Sequence, residues 1–503
     1  MGQGKLGANL VSNVAFFALN IVVSLWLVSY LVRHLGVAAY GLVPLAVTVA
    51  GYFNVITAGL NAAVGRHLTV AMSKGDHARA SSIFNSSLWA GALVALLMCL
   101  LGLPLLGHIS SVIEVPAGFE ADAGWLFFLT VGGLAVTTFG SSYQSIVYSR
   151  NRFDLQNLGN ILGLIGRVAV VVALFQISAP QLWHVGASVF FAAILTLGVV
   201  VWASRRLAPQ LKARPADFSW PVVKEVSSTG VWIFVAQIGT LLLVNIDLLV
   251  ANRIIGVADA GRYALVLQWS LLLRNFALVI GGVFGPPMLI LFAEGKVDEL
   301  IRYARRSVRF MGLMMALPVG LVCGFSESIL RIWLGQDFVP LALVMVLATG
   351  HLGLNLAYLP LNHVSMATNN VKWPGIVQII AGLVNLVAAI VLAHWFGLMG
   401  IAVAGGAVLL LRNTLFTPIY AAKVLHRPAM TFVRGALPLF LVSVGVGLAS
   451  WAVSHFLAPR HWGSLVGSGM LVSVAYAVFA WFLLLSAAER AGIVEKVRRK
   501  LKR

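Results

Sequence analysis

Charge is scarce in this chain, and acidic charge scarcer still. Of 503 residues, 10% are charged and only 16 are Asp or Glu. A water-soluble domain carries about 25% charged residues, so a soluble globular class is excluded. The two cysteines, Cys99 and Cys323, both fall inside apolar runs, which argues against a disulfide framework or a thiolate metal site. The 11 histidines show no ligand spacing and no His–Glu pair shares a helical face; no metal or other cofactor is expected. Nothing reads as a phosphate-binding loop or a nucleophile elbow. The stretches between apolar runs are too short to house a soluble catalytic domain, so the chain is not expected to be an enzyme. A membrane-embedded glycosyltransferase or polymerase would show acidic residues clustered in a large outer loop, and none is present. The first apolar run is long, has no small-residue cleavage site, and reads as a retained helix.

Hydrophobic residues make up 60% of the chain. They gather in recurrent runs near the roughly 20 residues that cross about 30 Å of hydrocarbon. Backbone polar groups in such runs must be satisfied internally, so each run is a helix. The period-two alternation of an outer-membrane barrel is absent. The expected fold is an all-α polytopic membrane protein of about fourteen transmembrane helices.

The net charge of +19 could suggest nucleic acid as a partner, but the placement of the charges rejects it. Basic residues cluster in alternate loops: Lys5; Arg66, Lys74 and Arg79; Arg150 and Arg152; 205–224; 296–309; Lys372; 423–434; and the tail from Arg490. The opposite loops hold only Arg33, Arg253, Arg262, Arg331 and Arg460. By the positive-inside rule the basic loops are cytoplasmic, so both termini of this inner-membrane chain face the cytoplasm. The tail from Lys496 to Arg503 reads as an anchor to anionic lipid heads.

Slid along itself by 220 residues, the chain matches itself. Arg33, Gly36 and Gly41 fall on Arg253, Gly256 and Gly261, and Gly75 falls on Gly295. Further on, the segment 149–153 resembles 368–373 at a slightly shorter offset. The repeat unit is six helices, and an even number returns the chain to the same side. The halves are therefore parallel repeats about an axis along the membrane normal, a transporter architecture. The expected organisation is an N-lobe at 1–204, a cytoplasmic linker at 205–228, a C-lobe at 229–425, two added helices at 426–487 and a basic tail at 488–503.

Three arginines, Arg167, Arg274 and Arg412, fall near the middle of expected spans. At about 3 kcal/mol each on insertion scales, they cost roughly 9 kcal/mol together. Such residues face a wet cavity, an anionic guest or backbone carbonyls. Asp247 alone among the acidic residues lies within a span, towards the outer end of its helix, and it cannot neutralise three arginines. Polar residues also align at helical spacing. His351, Asn355, Tyr358, Asn362 and Ser365 form one stripe; Thr137, Ser141, Gln144 and Tyr148 form its partner in the first half. Asn160 with Arg167, Gln378 with Asn385, and Gln237 with Thr240 and Asp247 share further faces. Single polar residues of this kind also serve as helix–helix glue. Read as a cavity lining, amides and tyrosines suit sugar hydroxyls and arginines suit phosphate oxygens. Asp247 is a candidate site for coupling to H+ or Na+, or else a structural partner of Arg253 or another outer arginine.

The pattern from Leu31 to Leu42, its recurrence after Asp247, and the segment 329–335 resemble the polysaccharide-transporter branch (Wzx-like O-antigen and exopolysaccharide flippases) of the multidrug/oligosaccharidyl-lipid/polysaccharide exporter superfamily. The resemblance covers roughly residues 5–425. It implies a flippase for undecaprenyl-pyrophosphate-linked oligosaccharide, working by alternating access, with basic cavity residues handling the anionic head group. Arg274, Arg167 and Arg412 are the positions that could do so here, with Asn355, Tyr358, Gln144, Tyr148 and Gln237 as further cavity candidates. The implied partners are the lipid-linked substrate, membrane lipids and a polysaccharide polymerase or export complex, with the flippase acting as a monomer. Two alternatives stand beside it: a cation-coupled multidrug exporter of the same superfamily, and a lipid II flippase, whose helix count is also fourteen.

Overall fold

The computed structural model describes residues 3–150, 152–228, 231–484 and 490. The tail at 491–503, expected to anchor to lipid, lies outside the described residues.

The first copy of the repeat comprises α1 (Gln3–Leu35), α2 (Val37–Ser73), α3 (His77–Gly102), the short α4 (Leu105–Val112), α5 (Glu120–Ser149), α6 (Phe153–Ile177) and α7 (Leu182–Leu207). A linker carrying α8 (Trp220–Ser228) follows. The second copy runs through α9 (Val231–Val244), α10 (Ile246–Val250), α11 (Val257–Gly281), α12 (Gly285–Ala293) and α13 (Val297–Gly324). It continues through α14 (Ser326–Trp333), α15 (Ala342–Gly350), α16 (Leu352–Asn355), α17 (Asn362–Ala367), α18 (Lys372–Leu411) and α19 (Thr417–Val424). Two helices close the chain, α20 (Ala436–Leu457) and α21 (Trp462–Phe479). No strand occurs among the described residues.

The helix breaks repeat with the sequence. α1 ends one residue before Gly36 and the helical run after α10 ends one residue before Gly256; both glycines have positive φ, +81° and +127°. Glycine reaches that region without a Cβ clash, so each copy turns at the same place. The pair Gly75 and Gly295 repeats the device, each at φ +71°. The second copy is the more broken. α11 passes through a 3-10 turn into α12 where Pro286 and Pro287 remove two backbone donors. α18 carries a non-helical break at Gly397.

Eleven helices among the described residues are long and apolar enough to cross a bilayer, or twelve if the bent pair Gln237–Val244 and Ile246–Ile255 counts as one span. The chain is an all-α, multi-pass membrane protein.

Two compact units emerge, one of Met1–Leu265 with Val371–Gly405 and the other of Val266–Asn370 with Gly406–Arg503. The first has a core under α2, α3, α5 and α7 that includes Leu68, Phe84, Leu88, Ile146, Val147 and Val200. Linker residues Leu211 and Val222 are buried in the same core. In this unit the two copies of the glycine motif meet. A methyl group on Gly41 would lie 2.7 Å from the Gly261 Cα, and one on Gly261 would strike the Val37 carbonyl. Lipid supplies no hydrophobic drive for helix association, so backbones must approach closely. The repeated glycines permit that approach.

In the second unit α20 lies along α13, fitted to it at glycines. A Cβ on Gly312 would sit 2.7 Å from the Leu439 side chain and one on Gly320 2.6 Å from that of Val446. Ser328 and Ser454 share a 2.9 Å hydrogen bond at the far end. Tyr476 of α21 donates to the Leu313 carbonyl at 2.8 Å. The two added helices are therefore built onto α13.

Candidate functional site

The second unit gathers two of the three mid-span arginines into one polar chain. On α11, Arg274 follows Ser270 by one turn, and its Nε lies 3.4 Å from the Ser270 hydroxyl. The Arg274 charge also acts on the ring of His351. His351 precedes Asn355 by one turn, with Nδ1 3.4 Å from the Asn355 amide nitrogen. The Asn355 carbonyl oxygen accepts from the Asn413 amide. The Asn413 carbonyl oxygen accepts from Arg412 Nη1 at 2.6 Å. Gly406 makes room for the imidazole, since a Cβ there would stand 3.1 Å from its Cδ2.

Arg412 opens a wide π-helical turn, Arg412–Phe416, and the Thr417 hydroxyl donates to the Arg412 carbonyl at 3.2 Å. Such turns inside α-helices recur at functional sites. The Arg412 Nε–H is buried and has no hydrogen-bond partner among the described residues. No carboxylate there pairs with Arg412. A buried donor without a partner costs about 1–3 kcal/mol, more when charged, so this one is suited to bind a guest oxygen.

In the first unit, Arg167 sits half-buried on α6 with its Nε–H likewise buried and unpartnered among the described residues. Its electrostatic neighbour is the phenol of Tyr40, 4% exposed, within the repeated glycine motif. The structure thus hydrogen-bonds Arg412 to Asn355 through Asn413, brings Arg274 within electrostatic reach of His351, and places Arg167 in the other unit.

The remaining candidates are dispersed. Tyr358 leaves the expected stripe: the segment from Leu356 to Leu361 is 3-10, Pro360 lies in it, and the changed winding turns the ring into the core. Its side chain is 1% exposed and the hydroxyl faces the Phe432 carbonyl at 3.5 Å. Tyr148 is 55% exposed, edge-on to Phe153. Gln144 and Gln237 are half-buried. Thr137 and Ser141 donate within their own helix, to Leu134 and Thr138 carbonyls at 2.8 Å each.

The stripes on α9, α10 and α18 face one another. Gln378 Nε2 donates to Thr240 at 3.4 Å, and Asn385 Nδ2 donates to Asp247 Oδ1 at 2.8 Å. Glycines bring the helices together, with a Cβ on Gly239 falling 2.6 Å from the Gln378 carbonyl carbon. Asp247 is 7% exposed and lies just past the 45° bend. Gly405 is close by: a Cβ on it would be 2.8 Å from Asp247 Oδ2. The expected pairing of Asp247 with Arg253 does not form. Arg253 instead donates to the Ser111 carbonyl and, at 2.5 Å, to that of Val112, while Asn252 brackets the Glu114 backbone. The free carbonyls at the end of α4 offer the guanidinium a nearer partner than a carboxylate one and a half turns back in its own helix.

Sequence reasoning missed Asn413 and Ser270, which complete the arginine chain. Asn413 adjoins Arg412, but only the π turn directs its amide to Asn355.

The polysaccharide biosynthesis protein family matches residues 6–289. An uncharacterized membrane protein of Bacillus subtilis (strain 168), EpsK, is 33% identical over 502 residues, 98% of each chain. A putative O-antigen transporter of Shigella flexneri is 22% identical over 333 residues, covering 66% of this chain and 77% of the relative. Among solved structures, the lipid II flippase MurJ in an inward closed conformation superposes with a TM-score of 0.65 at 14% identity, covering 95% of this chain and 99% of that one. An inward-facing multidrug resistance transporter of the MATE family gives 0.62 at 14% identity, with 84% and 96% covered. At such identities the likeness concerns the fold alone.

Proposed function

Because the chain belongs to the polysaccharide biosynthesis protein family and is a multi-pass membrane transporter, we propose that it is a flippase for an undecaprenyl-pyrophosphate-linked oligosaccharide. It moves that lipid from the cytoplasmic to the outer leaflet of the inner membrane, for surface or exopolysaccharide synthesis. The proposed arrangement has fourteen spans, with the run Lys372–Val424 crossing twice, broken at Gly397, and α2 and the bent pair Gln237–Val244 and Ile246–Ile255 each crossing once. Both termini are cytoplasmic, following the loop charges.

One observation carries the reading: the hydrogen-bonded series Arg412–Asn413–Asn355–His351, with Arg274 within electrostatic reach of the His351 ring and the Arg412 Nε–H donor left over. Guanidinium groups bind pyrophosphate oxygens through forked, charge-assisted hydrogen bonds. The neutral Asn413 amide holds Arg412 in place without consuming its charge, which leaves that charge for an anionic guest. In the other unit Arg167 offers a further guanidinium, and the half-buried Gln144 and Gln237 are amides suited to sugar hydroxyls, while the polyprenyl tail stays in lipid. Alternating access between the repeated halves exposes the site first inward, then outward. A membrane potential negative inside favours outward movement of an anion by about 2.3 kcal/mol per charge per 100 mV.

Asp247 is the candidate coupling group. It is a buried carboxylate at a helix bend, held by Asn385 and close to Gly405, and it can take up H+ or Na+ during the cycle. The transporter works as a monomer beside a polymerase or export complex, and performs no covalent chemistry of its own.

The test is a deletion strain complemented with Arg274→Ala, Arg412→Ala or the double variant. Each single change is expected to lower polysaccharide export about tenfold or more at normal protein level, with lipid-linked sugar accumulating on the cytoplasmic leaflet. Export at the wild-type rate in the double variant would sink the reading. Asp247→Asn is expected to remove any dependence of export on Na+ or on the proton gradient. The multidrug reading requires a carboxylate-lined path for cations. It would gain only if Asp247→Asn abolished efflux of a lipophilic cation while the arginine variants left efflux intact.

A further inference from the structure

Away from that site, the second unit carries a basic groove that the flippase reading does not use. One cavity of about 380 Å³ is lined by Arg302, Arg305, Arg427 and Arg434 with Asp298 as its single acid. A second, of about 570 Å³, shares Arg305, Thr431 and Arg434, adds Arg309, and is otherwise apolar, with Val308, Leu313, Pro438 and Val442 on its walls. The shared residues make the two cavities one groove, basic at one end and apolar at the other.

Its geometry follows from α13 and the turn before α20. Arg302, Arg305 and Arg309 stand three and four residues apart, so they share one helical face. Arg305 Nε donates to the Thr431 carbonyl at 2.9 Å and so fixes the far wall. Asp298 is taken by Arg427. Among the described residues Arg302 and Arg434 have no ion-pair or hydrogen-bond partner. The one acid in the groove is thus engaged by Arg427, and the charges of Arg302 and Arg434 are left over among the described residues.

We propose that this groove binds an anionic phospholipid, its phosphodiester between Arg302 and Arg434 and an acyl chain in the trough toward Leu313 and Val442. Two features select a lipid over a soluble phosphate. Arg302 and Leu313 are eleven residues apart on α13, about 16 Å at 1.5 Å per residue, which is roughly the depth of one leaflet. The trough is also apolar at its far end, where Leu313, Pro438, Leu439 and Val442 line it. A headgroup with a net negative charge is selected over a zwitterionic one because basic pockets at membrane surfaces recognise anionic heads. The lipid would stay in place and brace the α13–α20 pair, whereas a transported lipid must leave. The proposal is independent of what the protein transports.

The experiment is native mass spectrometry on the full-length protein in detergent, titrated with phosphatidylglycerol, phosphatidylcholine or glycerol 1-phosphate. Phosphatidylglycerol is expected to be retained and phosphatidylcholine lost. Each basic side chain near an anionic lipid surface is worth about fivefold in partition, so Arg302→Gln with Arg434→Gln should weaken retention about 25-fold. Arg305 is left intact because it holds Thr431. Val442→Asn should weaken the lipid without changing the response to glycerol phosphate. A circular-dichroism melt in phosphatidylcholine detergent micelles, unchanged in both variants, separates lost binding from lost folding. Equal retention of the two lipids, undiminished retention in the double arginine variant, or full displacement by glycerol phosphate would each overturn the proposal. So would displacement by undecaprenyl phosphate at equal mole fraction, which would assign the groove to the substrate.

Discussion

The helices α3 and α13 occupy the same place in the two copies of the repeat, and each receives the segment that follows its copy's last helix. They receive it differently. On α3, Asn85 is fully buried; its amide donates to the Lys212 carbonyl at 3.0 Å and its oxygen accepts from the Arg214 N–H at 2.7 Å. Ser86 accepts from the Ser219 N–H, and Ser81 donates to Asp217, both at 2.9 Å. The linker thereby seals that end of the helix. On α13, the residue 220 positions on is Arg305, which makes the corresponding bond to the Thr431 carbonyl. It sits in an exposed groove with four further arginines. The comparison teaches that a repeat can preserve a backbone-holding contact while changing its chemistry. A short amide closes the seam, whereas a long cation keeps it open and charged.

The largest effect is expected from Asn85→Ala. It strands the Lys212 carbonyl and the Arg214 N–H at a buried site, and should cost about 3 kcal/mol, read as a lowered melting temperature in detergent. Arg305→Gln should cost only about 1 kcal/mol, because its single backbone bond is solvent-exposed. Equal losses at the two positions would show that the seams are energetically alike and break the comparison.

The smallest effect concerns the ion pairs flanking each seam, Arg79 with Glu225 and Arg427 with Asp298. Both are exposed, so Glu225→Gln should cost under about 1 kcal/mol. The Arg79 hydrogen bond holds the Glu225 carboxyl below the usual range for glutamate. A lowered folded-state value means that the contribution is complete above the unfolded pKa of about 4.3 and is lost as pH falls through the folded value. Melting followed from pH 6 to pH 3 should therefore show a small acid-side loss in the wild type that Glu225→Gln removes. An identical acid limb in the variant would show that Glu225 holds nothing.

The helical class, the apolar spans and the repeat were all legible in the sequence, since each rests on local pattern. The register of Gly36 with Gly256 and of Gly75 with Gly295 anticipated where the helices break. Candidate residues were legible only as mid-span polar groups. Arg274 and Arg412 stood out by their desolvation cost, but nothing local told that Asn413 and His351 would link them. Tyr358 shows the opposite failure. Its spacing suited a continuous α-helix, and a 3-10 stretch with Pro360 rotated it into the core. Asp247 and Arg253 lie six residues apart with opposite charges, yet each found a partner on another helix.

Composition alone determined that this chain lives in a bilayer as helices, because an apolar backbone in lipid has no other way to satisfy its hydrogen bonds. The doubling of the chain was likewise written in its own residues. Which polar groups meet was decided only by the tertiary structure: side-chain pairing depends on helix rotation, π and 3-10 windings and glycine-set spacing, and these are fixed by contacts between segments from about fifty to more than a hundred residues apart.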